Sequence, residues 1–195
     1  MDAANGNSLA AIGFLTALED PAHGWFGGYL LLSQLGRPLE FHCTTPIEPT
    51  RAQQILYGPT LQSHLLGEVI GRTLVRQAKL PVQAVLTDYP EMLNLSLYQQ
   101  GVVACVERKM GPNQGESSTD CNIEESVPRL ELGNWQLYGT STCNWQVEQL
   151  RQQLTPLVEH IDLLEPFQRI REAILEAQRI SAIGDEGTSA GSIAA

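Results

Sequence analysis

The stretch Gly27–Pro46, "GGYLLLSQLGRPLEFHCTTP", decides how the first half of the chain is read. Two apolar runs, "YLLLS" and "PLEFHCT", flank a short segment containing Gly36, which is the signature of a β-hairpin. Pro38 has no N–H to give to a sheet, so it belongs at the start of its strand or on an edge. Successive strand side chains point to opposite faces. Extended backbone over "LEFHCT" therefore sets Leu39, Phe41 and Cys43 on one face and Glu40, His42 and Thr44 on the other. The expected core face is that of Leu39 and Phe41, with Cys43 buried beside them and His42 more exposed. On this parity His42 does not serve as a base for Cys43, and the two do not easily ligate one metal ion.

Upstream, "AAIGFLTAL" reads as a strand, with the start of a helix as the alternative. "DPAHGWFGG" reads as a turn-rich connection punctuated by proline and glycine. Gly24, Trp25, Gly27 and Gly28 in it are candidate binding residues, because glycine admits close approach and tryptophan supplies a pocket wall. A simple turn with a packed tryptophan is the competing reading. Neither G-x-G-x-x-G nor the phosphate-binding G-x-x-x-x-G-K-[ST] is present.

Downstream, "PTRAQQILYGP" reads as a short helix, with Thr50 and Gln53 as a capping box and Gly58-Pro59 as its stop. Leu61, Leu65, Val69, Ile70, Leu74 and Ala78 then recur on one face of a longer helix. Gly67 and Gly71 lie one turn apart on it and imply close approach of another backbone. "VQAVLTD" and "GVVACVERK" read as buried strands, separated by a helical turn or two in "YPEMLNLSLYQQ". "RLELGNWQLYGT" reads as a further strand or hairpin. Val147, Leu150, Leu154, Leu157, Ile161 and Leu164 advance by threes and fours, the narrow seam of a coiled coil. The seam is either an internal packing face or a subunit interface, and the interface is the reading taken here. Pro156 is expected to break the helix or to restart it.

The fold expected from these segments is α+β: a small mixed or antiparallel sheet with a packed long helix, followed by a helical C-terminal part. Residues 1–9 are expected to be disordered, 10–109 to form the α+β domain and 110–128 a flexible acidic linker. A strand or hairpin with helices over 129–182 and a disordered tail over 183–195 complete the division.

The chain has 195 residues, 12 Lys and Arg against 22 Asp and Glu, and a formal net charge of -10. That sign opposes phosphate backbones and anionic lipid surfaces, so neither nucleic acid nor membrane is expected as a partner. No basic segment precedes an apolar run at the N-terminus, and a cytoplasmic location is expected. The cysteines, Cys43, Cys105, Cys121 and Cys143, are widely spaced without a C-x-x-C pair, so no metal, cofactor or disulfide framework is expected.

Chemistry-bearing residues are few. His23 and His42 are candidate bases. Asp88 follows a buried strand, at the end where ligands of open α/β sheets gather, and its competing role is to cap the turn entered at Pro90. The leading functional expectation is a non-enzymatic interaction or scaffold protein that associates with itself or with other proteins. The alternatives are a hydrolase- or transferase-type enzyme with a site near His23, His42 and Asp88, and a small-ligand sensor.

Overall fold

The computed structural model describes residues 11–99, 101–109, 127–140 and 145–188, with backbone alone over 180–188. Seven strands form one mixed sheet: β1 (Ala11–Asp20), β2 (Gly24–Leu32), β3 (Pro38–Cys43), β4 (Val82–Thr87), β5 (Val102–Arg108), β6 (Arg129–Leu132) and β7 (Trp135–Tyr138). Their spatial order is β3-β2-β1-β4-β5-β7-β6. β4 runs parallel to both β1 and β5, and the other neighbours are antiparallel. The mixed sheet agrees with the α+β expectation, but it is larger than the small sheet foreseen, because β6 and β7 extend it beyond β5.

Both faces are covered, which explains why the central strands read as nearly unbroken apolar runs. On the back face α1 (Arg51–Tyr57) leads into one continuous helical path: α2 (Leu61–Ser63), a π-helical stretch (His64–Gly71) and α3 (Arg72–Gln77). Thr50 and Gln53 make the expected capping box at its start. A 3-10 helix (Pro90–Leu97) joins this layer. Leu66, Ile70, Leu74, Met92 and Leu95 pack there on Leu15, Tyr29, Leu31, Val85 and Val103. Gly67 is pressed against the 3-10 helix, where an added Cβ would stand 3.0 Å from the Asn94 Cβ.

The front face carries α4 (Val147–Val158) and α5 (Glu165–Thr188). Leu150, Leu154, Leu157, Leu163, Phe167, Ile170 and Ile174 are buried there with Ile12, Phe14, Leu30, Leu86, Val106, Leu130 and Leu137. Val147, Ile161 and Leu164 pack on the same core, partly buried. The seam expected as a subunit interface is thus spent on the chain's own sheet. The seam is shared by two helices, with Pro166 in the first turn of the second. Pro156 does not break α4; it sits inside the last turn, where few backbone bonds depend on its missing N–H.

"GWFGG" is strand rather than loop. The β1–β2 turn is confined to the residues between Asp20 and Gly24, and Gly27 and Gly28 pair with Ala17 and Thr16 inside the sheet. Their lack of a side chain serves packing from both sides. A Cβ on Gly27 would meet Ile70 Cγ2 at 2.1 Å on the back, and one on Gly28 would meet Ile170 Cγ2 at 2.2 Å on the front.

The expected parity of β3 holds for Phe41 and Cys43 against Glu40 and His42, but not for Leu39, which a register shift between Leu31 and Leu32 turns into the back-face core, and not in burial. Glu40 and His42 pair with Leu31 and Tyr29, on the covered back face. Phe41 and Cys43 pair with Leu30 and Gly28 on the front, where the helices do not reach the edge strand. Phe41 is therefore 40% exposed and Cys43 is exposed. The cause is a polar contact that parity alone does not reveal. Glu40 accepts hydrogen bonds from the backbone N–H groups of Lys79 (3.0 Å) and Leu80 (2.9 Å), fastening the exit of α3 over the back of β3. The expected disorder at 1–9, most of the proposed linker, the end of the proposed tail, Cys121 and Cys143 lie outside the described residues.

Candidate functional site

β4 stops at Thr87, paired with Leu15, while β1 continues to Asp20 against β2. Beyond Leu15 strand β1 has no β4 neighbour, and Asp88, the residue after β4, sits beside Thr16 there. The local sequence enforces that turn. Pro90 disfavours helical backbone at Tyr89, which is extended (φ -115, ψ 114) before the 3-10 helix begins. The Tyr89 N–H bonds to Thr87 Oγ1 (3.1 Å), and Asp88 makes no capping bond to the 3-10 helix.

The carboxylate of Asp88 accepts a hydrogen bond from Thr16 Oγ1 at 2.7 Å. Its other oxygen is ion-paired to Nη2 of Arg171, which also donates to Thr16 Oγ1 at 3.0 Å. Thr16 is fully buried, whereas the side chains of Asp88 and Arg171 are 15% and 29% exposed. Tyr89 adds a hydroxyl hydrogen-bonded to Arg171. Burial raises the Tyr89 phenol above its usual pKa, and the guanidinium pulls in the opposite direction. The Tyr89 ring meets Trp25 edge-on, centroids 6.2 Å apart. Phe167, Ile170 and Ile174 anchor α5 in the core and so fix where Arg171 reaches.

This cluster stands at a topological switch point. From β1 the chain departs towards β2 and β3; from β4 it departs the other way, towards β5. In open α/β sheets such a divergence leaves a crevice outside the strand C-terminal ends, and ligands bind there.

The other sequence candidates do not converge on it. His23 lies in the exposed β1–β2 turn, its Nδ1 2.9 Å from Asp20 Oδ1. Asp20 Oδ1 also accepts from the N–H groups of Ala22 and His23, and these contacts hold its carboxyl below the usual range. His42, with Nε2 3.0 Å from Glu40 Oε2, belongs to the back face of the edge strand. The proposed grouping of His23, His42 and Asp88 is corrected accordingly: of the three, only Asp88 stands at the C-terminal end of β4 beside Thr16 and Arg171. Gly24 and Trp25 bound the turn and meet Ile47 rather than an open loop, and Trp25 reaches the cluster only through Tyr89. Cys43 is exposed at the edge. Burial pushes the Cys105 thiol up to about 12, which makes it inert at neutral pH.

Thr16 and Arg171 were missed. Thr16 left a trace, as the hydroxyl within the apolar run "AIGFLTAL". Arg171 flanks the buried stripe Phe167–Ile170–Ile174, and nothing in its spacing links it to Asp88, 83 residues away.

A second concave feature is an open groove of about 660 Å³ between the β6–β7 turn and the α4–α5 connection, lined in part by Arg108, Lys109, Asn134, Trp135, His160 and Asp162. Arg108 lies over the Trp135 ring, 5.1 Å from its centroid, and pairs with Asp162 at 2.8 Å. Among the described residues, no three His, Cys, Asp or Glu side chains cluster as a metal site. No helix among them is long and apolar enough to cross a membrane.

No protein-family model matches the chain, and no curated protein matches it. Among solved structures it is similar to the Ciona intestinalis endonuclease V in complex with a 23mer DNA containing an inosine followed by a ribo-adenosine. That similarity has a TM-score of 0.34 and 9% identity, over 51% of this chain and 46% of the other. A likeness of this size carries no argument about activity. Two expectations, the non-enzymatic scaffold protein and the absence of a nucleic-acid partner, lose their grounds on the chain's own structure and are corrected. The scaffold reading drew on a seam that the sheet now occupies. The exclusion of nucleic acid drew on net charge, a sum over the whole chain that does not describe any one part of its surface.

Proposed function

We propose that the chain is a hydrolase- or transferase-type enzyme whose reaction centre is Asp88, at the C-terminal end of β4 beside β1. The observation that carries this reading is a carboxylate at the C-terminal end of a parallel strand, at the switch point, held in one orientation by Thr16 and Arg171. Asp88 is the proton acceptor for an attacking hydroxyl or water. Thr16, immobile in the sheet, fixes which carboxylate oxygen faces inward, and Arg171 sets the charge around it. A positioned carboxylate acting as a general base contributes roughly 100- to 10,000-fold to a rate.

The test is turnover by the full chain across phosphate monoesters, phosphate diesters including a short single-stranded oligonucleotide, and carboxylic esters. At least one class should be turned over, and Asp88→Asn should lower that rate at least ~100-fold while the circular dichroism spectrum is unchanged. Turnover insensitive to Asp88→Asn, or none in any class, would sink the reading.

The groove at Arg108 and Trp135 favours a second reading, a small-ligand sensor, since its volume of about 660 Å³ lies in the range of ligand pockets. Under that reading, ligand binding would be lost in Trp135→Ala and untouched by Asp88→Asn.

A further inference from the structure

We infer that Arg171 is the receptor for an oxyanion of the substrate, phosphoryl or carboxylate, which replaces Asp88 on the guanidinium; this rests on the reading of Asp88 as the reaction centre. Arginine presents five N–H donors in a planar fork that matches oxyanion geometry. The group seated on Arg171 in the free chain is itself an oxyanion, the protein's own carboxylate. Thr16 Oγ1 and the Tyr89 hydroxyl converge on the same guanidinium. An arriving anion therefore finds two hydroxyls beside the cation.

Access and rigidity favour exchange at this point. The side chains of Arg171 and Asp88 are partly exposed, so an anion reaches them without opening the core. Arg171 stands on a helix whose neighbouring Phe167, Ile170 and Ile174 are buried, while Asp88 stands where a strand gives way to a turn.

The experiment is calorimetric titration of the full chain with inorganic phosphate and, separately, with acetate. Asp88→Asn removes the internal competitor and should tighten one of the two anions at least ~10-fold relative to the unmodified chain. Whichever anion responds identifies phosphoryl or carboxylate as the recognised group. Arg171→Met should abolish that binding. Arg171→Lys keeps the charge without the fork and should bind more weakly than the unmodified chain, which supplies the test if the methionine variant does not fold. Equal affinity in Asp88→Asn and the unmodified chain for both anions, or unaltered binding in the Arg171 variants, would overturn the inference. Asp88-dependent turnover with no such change in affinity sinks the receptor alone. The expected affinity pattern without turnover sinks the enzyme reading alone.

Discussion

The two faces of the sheet are seated alike and equipped differently. On each, a helix comes down on a glycine of β2: the π-helical stretch on Gly27 at the back and α5 on Gly28 at the front. The back layer then meets the sheet largely through apolar groups, and the Tyr29 Oη buried among them has no hydrogen-bond partner. Burial raises the Tyr29 phenol well above its ordinary pKa, with Glu40 adding to the shift, so it stays neutral. At the front, Arg171 reaches past the same kind of apolar contact to Asp88 and Thr16. Close packing accounts for both helices, whereas only one of them brings a charge to the open end of a parallel strand. That difference separates the scaffold of this protein from its candidate chemistry.

The strongest way to break the comparison is to disrupt the front layer. Leu154 and Leu157 are fully buried, so Leu154→Glu with Leu157→Glu places two carboxylates in the core, at several kcal/mol each. Loss of native structure over the whole chain is expected, read by circular dichroism. A still-folded sheet with detached helices would show instead that the front layer is dispensable. Leu56→Glu, on a residue 82% exposed in α1, should change stability by less than about 0.5 kcal/mol.

Next in size is the glycine pair. Gly27→Val and Gly28→Val force overlaps with Ile70 and Ile170, and each should cost about 3 kcal/mol or more in urea unfolding. Because each acts on one face, truncating the opposing isoleucine should relieve only its own partner. Ile170→Ala should soften Gly28→Val and leave Gly27→Val unrelieved. Relief that crosses the sheet would mean that the two layers are not independent.

The limits of the sequence follow from the same geometry. The hairpin, the capping box and the strands β4 and β5 are local in origin, and spacing displays them. The glycines of "GWFGG" resembled a loop because packing from both sides selects the same residue as a turn does, and sequence does not separate the two causes. Edge strand β6 is covered on one face alone and its "RLEL" alternates in burial as the pattern suggests. Edge strand β3 does not, because the face it buries carries Glu40 and His42, and the Lys79–Leu80 backbone that satisfies Glu40 lies far along the chain. Asp88 was visible as a strand-end carboxylate, whereas its partner depends on how α5 lands.

A smaller effect is expected from the polar tie itself. Arg171→Met leaves the Asp88 carboxylate with Thr16 but without a cation, and breaking a fully buried pair costs about 3–5 kcal/mol. Both side chains here are partly exposed, so about 2 kcal/mol is expected by urea unfolding. Adding Asp88→Asn should restore most of it, because the uncompensated charge is gone. A second substitution that destabilises further would mean that Asp88 serves the fold independently of Arg171.

The smallest effect belongs to the back of the edge strand. The backbone N–H of Lys79, then His42 and the N–H of Leu80, hold the Glu40 carboxyl below its ordinary pKa, with burial working weakly against them. A carboxyl whose folded pKa is depressed contributes stability that is complete above its unfolded pKa and is lost as the pH falls through the folded one. The unmodified chain should therefore lose melting temperature on acidification below the ordinary glutamate range, and Glu40→Gln should flatten part of that decline. At neutral pH the glutamine variant should melt slightly lower, since an amide oxygen accepts from Lys79 and Leu80 more weakly than a carboxylate does. The Asp88–Arg171 pair lies on the other face, so anion binding at Arg171 should be the same in Glu40→Gln as in the unmodified chain. An acid limb unchanged by the substitution would show that Glu40 does not fasten α3 to β3, and the edge would then be held by Leu39 and its apolar neighbours alone.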